Sequence, residues 1–237
     1  MDPVLILQHL NADGPAYLAT WLLERGLPFV LRNTEAGEAY PDRLDGFSAL
    51  AVLGGEMSAN DPLPSLRQAE ALIRQAVQKG VPTLGHCLGG QLMARALGAR
   101  IGASPAPEVG WQPMRILSDA AAPDWFGGRS SAQVFQWHYE AFEPPPGAVT
   151  LAASAACAHQ AFALGPHLAM QFHLEVDLPK LQQWAAADDP RHATAVREHA
   201  GSVQSAAQML EGAALHLAAH QRLADAVYSR WIGRASG

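Results

Sequence analysis

The feature that most constrains the fold is a short apolar strand that runs straight into a helix through closely spaced glycines. The segment reads Pro82-Thr-Leu-Gly-His-Cys-Leu-Gly-Gly-Gln-Leu92, with Cys87 at the turn between Gly85 and Gly89. Glycines two positions to either side remove the Cβ atoms that would clash in so sharp a turn. The sequence therefore predicts a strand-turn-helix unit that presents the Cys87 thiol at a helix start, where free N–H groups favour a thiolate.

Strand-like and helix-like segments alternate through the first hundred residues, and this alternation is typical of parallel βαβ units. The predicted strands are Val4–Leu10, Pro28–Arg32, Ser48–Leu53 and Val81–Gly85, and the predicted helices are Pro15–Arg25, Leu63–Lys79 and Leu88–Leu97. Residues 100–172 are richer in short strands and turns, and the last part of the chain is mostly helical. We therefore expect an α/β fold.

No internal repeat divides the chain, so we expect one domain over residues 1–237, with a core of about 1–177 and a helical C-terminal extension of about 178–237. Asp177 and Asp189, each followed closely by proline, are expected to begin helices of this extension. Further on, a seven-residue spacing joins Val203, Leu210, Leu217, Ala224 and Trp231. Such a stripe can join the two chains of a homodimer, but it is more often a helix packed on its own domain.

Composition excludes several classes of function. The net charge is −6 and no basic run occurs, so nucleic acid is not an expected partner. The N-terminus lacks the features of a signal peptide, and no apolar stretch approaches the length of a membrane span. Only two cysteines occur, Cys87 and Cys157, and the histidines show no metal-ligand spacing. We therefore expect a cytoplasmic protein with no membrane segment, structural disulfide or metal.

A second motif supplies partners for the thiol. Met170-Gln-Phe-His-Leu-Glu175 reads as an apolar strand that ends in His173-x-Glu175. An imidazole can take the proton of Cys87 while the carboxylate fixes the tautomer of the ring. The two motifs together predict a Cys87-His173-Glu175 catalytic triad. The alternative is that Cys87 is a buried core thiol with no catalytic role.

These motifs resemble those of the class I glutamine amidotransferases, which carry Gly-x-Cys-x-Gly-x-Gln followed later by Phe-His-Pro-Glu. The resemblance implies a flavodoxin-like, open, mostly parallel sheet with helices on both faces. It also implies hydrolysis of the γ-amide of glutamine to glutamate and ammonia, through a γ-glutamyl thioester and without a cofactor. Here Leu174 replaces the usual proline, and Glu56 stands where proline often follows two glycines.

Two backbone amides are expected to stabilise the developing oxyanion. The amide of Leu88 directly follows the nucleophile, which is the usual place for one donor. The resemblance gives the second role to Gly55, in a glycine pair that follows a strand. The same glycines could form an ordinary strand-to-helix turn, with Asp61 as the helix N-cap, and the two interpretations are compatible.

The resemblance further implies substrate contacts by Gln91, His138, Gln160 and Phe162, although Gln91 could simply be a polar helix residue. The chain has no nucleotide-binding motif, so a separate synthetase would have to accept the ammonia unless the enzyme acts alone. Two other functions stay open at this point. One is a γ-glutamyl peptidase with the same triad, and the other is a regulatory module that catalyses nothing.

Overall fold

A nine-stranded sheet runs through the computed structural model, which describes residues 2–117 and 125–233. Its strands are β1 (Val4–Gln8), β2 (Phe29–Asn33), β3 (Ala49–Val52), β4 (Thr83–His86), β5 (Ile101–Ile116), β6 (Ser131–Phe142), β7 (Val149–Ala153), β8 (Ala161–Leu164) and β9 (His167–Met170). The α-helices used below are α1 (Ala16–Glu24), α2 (Pro64–Lys79), α3 (Leu88–Ala96), α4 (Leu178–Ala185), α5 (Pro190–Glu198) and α6 (Ala206–Gly233). A short 3-10 helix covers Asn11–Asp13.

The strand order is β2-β1-β3-β4-β9-β8-β7-β5-β6, and the sheet is open. The five strands from β2 to β9 pair in parallel, whereas the pairings from β9 to β6 are antiparallel. The α/β class is therefore confirmed, but the sheet is mixed: its second half is antiparallel. Short connections such as the turn between β8 and β9 permit only antiparallel pairing, because a parallel crossover needs a dozen residues or more.

Helices cover both faces of the parallel half, as the resemblance implied. Along β1, Val4 and Ile6 pack towards α1 and α6, while Leu5 and Leu7 pack towards α2 and α3. The alternation of side chains along a strand accounts for this division into two cores. The carboxyl ends of β3, β4 and β9 consequently meet at one edge, between the two helical layers.

Several predicted boundaries need correction. Residues 100–172 contain two long strands rather than only short ones, since β5 has 16 residues and β6 has 12. Asp61 does not cap α2, because the chain is still extended at Leu63 and the Asp61 carboxylate accepts from the Ser58 amide at 3.1 Å. The N-caps of the extension are confirmed: Asp177 accepts from the amide of Lys180, and Asp189 accepts from that of Arg191.

The C-terminal helix α6 packs on its own sheet through its second half. Ala224 and Trp231 of the seven-residue stripe are fully buried there, together with Val227. Leu210 of the same stripe is 39% exposed, and Val203 precedes the helix in a β-bridge with Val109. The buried face thus follows ordinary helical periodicity rather than the strict seven-residue repeat. The homodimer stays a prediction, as does the division into core and extension.

Candidate active site

Cys87 occupies a strained turn between β4 and α3. Its φ of +48° and ψ of −109° are rare for a residue with a side chain. The Cys87 amide donates to the carbonyl of Met170 at 2.9 Å, which ties the turn to the end of β9. The thiol is 6% exposed, and its Sγ atom lies 3.6 Å from both the Gln171 amide nitrogen and the Trp137 carbonyl oxygen.

The flanking glycines are required by close approach of neighbouring backbone, as predicted. A Cβ atom on Gly89 would lie 2.0 Å from the carbonyl oxygen of Val52. A Cβ atom on Gly85 would lie 2.6 Å from the sulfur of Met93 and 2.7 Å from the backbone of Gly89. Only glycines let α3 begin so close to β3. Because of this close approach, the start of the helix packs against the ends of the strands.

His173 and Glu175 lie beyond the end of β9 rather than on it. The strand ends at Met170, so alternation along a strand is not what brings the two side chains together. The His173 amide donates to the Phe135 carbonyl at 2.9 Å, which anchors the turn to β6. The Nδ1 atom of His173 then lies 2.7 Å from Oε1 of Glu175, and both side chains are buried.

The charges in this buried cluster support one another. Burial disfavours a charged imidazole, but Glu175 and Cys87 outweigh it and raise the pKa of His173 to about 10. Burial likewise opposes ionisation of Glu175, yet Lys180 and His173 hold the pKa of that carboxyl well below its usual range. The Nε2 atom of His173 has no hydrogen-bond partner within the described residues and is left for a proton transfer.

The sequence reasoning missed Lys180, whose Nζ atom lies 3.1 Å from Oε1 of Glu175. Two signals could have found it. It is one of only two lysines in the chain, the other being Lys79, and it stands five residues after Glu175 and three after the helix N-cap Asp177.

A cavity of about 420 Å³ opens onto Cys87 and His173. Gly55 lines it, and a Cβ atom on Gly55 would lie 2.9 Å from Cδ2 of Leu88. The glycine loop after β3 is therefore in contact with the first residue of α3. Gly55 lines the cavity and Leu88 does not, so the oxyanion role of the two amides stays a prediction.

Two of the four predicted substrate residues line the cavity. Gln91 donates from Nε2 to the Glu140 carbonyl at 3.0 Å, and the ring of His138 lies between that carbonyl and the carboxylate of Glu108. Gln160 and Phe162 do not line it, so contact of these two residues with substrate stays a prediction. Gln160 is fully buried and donates to Glu108 at 2.6 Å, which places it behind His138.

Phe162 belongs to the hydrophobic core. It packs edge-on against Phe142, with the ring centroids 5.1 Å apart. Because β8 pairs between β7 and β9, its side chains face the two helical layers, and Phe162 faces the layer that holds α2 and α3.

The extension supplies a cavity wall that the sequence reasoning did not anticipate. Trp184 of α4 packs edge-on against His173 at 4.9 Å between ring centroids and against Trp137 at 5.7 Å. Asp188, Asp189 and Arg191 also line the cavity. The site is thus built by the sheet edge on one side and the extension on the other.

Comparison with known proteins agrees with this geometry. Residues 18–185, well over half of the chain, match the family model described as glutamine amidotransferase class-I. The chain belongs to the class I glutamine amidotransferases. Among the described residues of this amidotransferase, no helix is both long and apolar enough to cross a membrane.

The glutamine amidotransferase-like protein YfeJ of Salmonella typhimurium is 33% identical over 70% of this chain and 73% of its own length. One subunit of the glutamine-hydrolyzing GMP synthase of Saccharolobus solfataricus is 30% identical over 57% of this chain and 71% of its own length. Full-length GMP synthases also match, but this chain covers only 14% to 23% of their lengths. The crystal structure of a glutamine amido transferase from Methylobacillus flagellatus has a TM-score of 0.90 and 35% identity, covering 99% of this chain and 95% of that one.

The two departures from the family pattern leave the site intact in this amidotransferase. Leu174 is fully buried in the core that contains α1 and α6, so an apolar side chain replaces proline without opening the turn. Glu56 lines the cavity beside Gly55 and adds a negative charge next to the glycine loop. This charge bears on which substrate the cavity accepts.

Proposed function

We propose that this amidotransferase hydrolyses the γ-amide of glutamine, with Cys87 as nucleophile, His173 as general acid and base, and Glu175 as the group that orients His173. The single observation that supports this most strongly is the hydrogen-bonded His173–Glu175 pair, whose imidazole lines the same cavity as a thiol held at a strained helix start. Nucleophilic catalysis requires these parts in mutual reach.

In the first half-reaction the Cys87 thiolate attacks the amide carbon, and the carbonyl electrons move to oxygen. The amides of Gly55 and Leu88 stabilise the resulting oxyanion. The imidazolium of His173 gives its proton to the departing nitrogen, the C–N bond breaks, and ammonia leaves a γ-glutamyl thioester on Cys87.

In the second half-reaction the neutral imidazole of His173 takes a proton from water. The hydroxide attacks the thioester carbon, and the C–S bond breaks to give glutamate and the thiolate again. Glutamine and one water are therefore converted to glutamate and ammonia. The carboxylate of Glu175 stays ionised throughout and stabilises the imidazolium.

A γ-glutamyl peptidase is the second candidate, and the shape of the cavity favours it. The volume of about 420 Å³ lies within the range of roughly 300–1,000 Å³ that holds drug-sized ligands. Glutamine is smaller than such a ligand, and Trp184 and Asp188 line the same cavity as the thiol. The leaving group on this side can therefore be an amine larger than ammonia.

Glutamate release from L-glutamine and from a panel of γ-glutamyl dipeptides, with wild type and Cys87→Ala, distinguishes the candidates. Turnover of glutamine that is lost in Cys87→Ala supports the proposal, and preferential turnover of the peptides supports the peptidase. A folded wild type that releases glutamate from neither, and whose Cys87 resists alkylation at neutral pH, would be a non-catalytic module.

We further propose that ammonia passes to a synthetase on a separate chain and that the enzyme works in the cytoplasm. The similarity to one subunit of a GMP synthase supports the first statement, and the two free cysteines support the second. A synthetase that raises glutamine turnover when it is added to the purified chain would identify the acceptor, and no such rise with any co-purifying protein would contradict this part.

A further inference from the structure

We propose that Lys180 is a positioning residue of the active site: its buried ammonium group fixes the Glu175 carboxylate in place and balances the charge of the triad. The proposal rests on the proposed function, since it concerns the same thiol, imidazole and carboxylate. Lys180 does not line the cavity, so it acts through Glu175 and not on the substrate.

Three contacts hold the ammonium group of Lys180. Its Nζ atom lies 3.1 Å from Oε1 of Glu175 and donates to the Gly14 carbonyl at 2.8 Å. It also lies over the ring of Trp184, 4.7 Å from the centroid. Because His173 uses the same Oε1 atom at 2.7 Å, the lysine and the imidazole orient one carboxylate oxygen between them.

The backbone of Lys180 is fixed as well. Its amide donates to Oδ1 of the N-cap residue Asp177 at 2.9 Å, which sets the first turn of α4. The side chain is only 4% exposed, whereas the chain's other lysine, Lys79, is exposed and pairs with Asp45 on the surface. A buried lysine must be paired to stay in place, because an isolated buried charge is strongly unfavourable.

Charge balance gives the cation a function beyond packing. With Cys87 as thiolate and His173 as imidazolium, the added carboxylate of Glu175 would leave a net charge of −1 in a buried site. The ammonium of Lys180 brings the sum over these four groups to zero; the carboxyl of Asp13, whose pKa burial raises, is not included in it. The cation favours the ionised carboxylate of Glu175, the carboxylate favours the imidazolium of His173, and an imidazolium beside the thiol favours the thiolate of Cys87.

Four further titratable groups interact with the cluster of Cys87, His173, Glu175 and Lys180. They are His86 of β4, His220 and Tyr228 of α6, and Asp13 of the short 3-10 helix. Burial lowers the pKa of His86 and of His220 to about 4, so both are neutral near pH 7. Among these described groups, Lys180 thus carries a positive charge that does not depend on the proton that His173 transfers.

The test compares Lys180→Met, Lys180→Arg and the matched surface control Lys79→Met. The readout is the pH dependence of iodoacetamide alkylation at Cys87, followed on its peptide by mass spectrometry, with the buried Cys157 as internal reference. We expect Lys180→Met to move the alkylation midpoint up by roughly one pH unit. Below both midpoints, this shift corresponds to an alkylation rate about tenfold lower.

Lys180→Arg should keep the wild-type midpoint because it keeps the cation, and Lys79→Met should keep it because its charge is remote. The pH profile of kcat/KM should move in the same direction as the alkylation midpoint in Lys180→Met. A lowered melting temperature with an unmoved midpoint would overturn the proposal, since Lys180 would then serve packing alone.

A second measurement needs no variant at the site and covers the case in which Lys180→Met does not fold. With lysine labelled at its ¹³Cε atom, the chain gives two side-chain signals, and Lys79→Met assigns them. The Lys180 signal should shift with the same midpoint as Cys87 alkylation, and a signal that stays flat through that midpoint would overturn the proposal. Equal glutamate release by wild type and Cys87→Ala would instead refute the proposed function, and neither result depends on the other.

Discussion

The imidazole Nδ1 of His173 and the carboxylate Oε1 of Glu175 are 2.7 Å apart, and a single residue, Leu174, separates the two in the chain. The turn after β9, rather than the strand itself, produces this contact. It fixes Nδ1 as the nitrogen that bonds the carboxylate and leaves Nε2 for the reaction.

Replacing Glu175 by glutamine tests this orientation. The amide cannot stabilise the imidazolium, so kcat should fall on the order of 10³–10⁴-fold, as losses of a triad carboxylate do. The substitution also leaves Lys180 without its ionic partner. Breaking a buried pair in this way should lower the free energy of unfolding by about 3–5 kcal/mol, measured by urea titration.

The double variant Glu175→Gln/Lys180→Met is the control for that experiment. Because it removes both buried charges, it should recover part of the lost free energy of unfolding but none of the lost kcat. A Glu175→Gln enzyme with wild-type kcat would show that the carboxylate does not act on His173.

The protonation of His173 predicts an activity that persists into alkaline solution. Its pKa, raised by Glu175 and Cys87 against the effect of burial, is about 10. The imidazolium donates the proton to the departing ammonia, so kcat/KM should fall as pH rises through about 10 and not near 7. A basic limb at an ordinary histidine pKa, in a profile measured over a wide pH range, would contradict the proposed charge state.

Acid should unfold the protein at a higher pH than the titration of its carboxylates alone would require. Burial lowers the pKa of His9, His86, His167 and His220 to about 4, against about 6.5 in the unfolded chain. As pH falls below 6.5 the unfolded state takes up protons that the folded state does not. The contribution of these histidines to the free energy of unfolding is therefore fully present above pH 6.5 and is lost as pH falls towards 4.

Each such proton contributes a slope of about 1.4 kcal/mol per pH unit. Urea titrations between pH 7.5 and 4.5 should therefore show a steep loss of stability that begins near pH 6. Replacing fully buried His220 by glutamine should reduce this slope by about one proton. A free energy of unfolding that stays flat down to pH 5 would show that these histidines are not held neutral.

Substitution of Gly89 by alanine should be severely destabilising. The new Cβ atom would lie 2.0 Å from the Val52 carbonyl oxygen and 2.6 Å from the carbonyl carbon, and this strand backbone cannot move aside as a flexible side chain could. Gly102 is the matched control, because nothing lies within 4 Å of a Cβ atom there. Melting curves should show a large loss for Gly89→Ala and little change for Gly102→Ala, and equal melting temperatures would refute the close-approach argument.

The sequence alone predicted the elbow, the glycines and the His173–Glu175 pair, because each depends on residues a few positions apart. The antiparallel half of the sheet was not predicted, since strand direction there depends on the turns that follow β5 and β7. That Gln160 and Phe162 do not line the cavity was not predicted for a related reason: their motif marks a strand, and the pairing of β8 decides which way its side chains face.

Lys180 escaped prediction because its partners are set by tertiary packing. A lysine in the first turn of a helix normally reads as a solvated side chain, and only the approach of Gly14 and Trp184 encloses this one. The cavity wall of the extension was missed likewise, since nothing in residues 178–237 marks them as part of a site. Local patterns thus predicted the three residues of the proposed triad, and long-range packing decided what surrounds them.

The most direct test of the central claim is to label the enzyme at neutral pH with a glutamine-directed electrophile such as a chloroketone analogue of glutamine, and to map the adduct by peptide mass spectrometry. We predict one adduct, on Cys87, that L-glutamine competes away and that coincides with loss of glutamate release. Cys157 should stay unmodified, because burial raises the pKa of its thiol to about 11. Equal labelling of both cysteines, or full inactivation with Cys87 unmodified, would contradict the account.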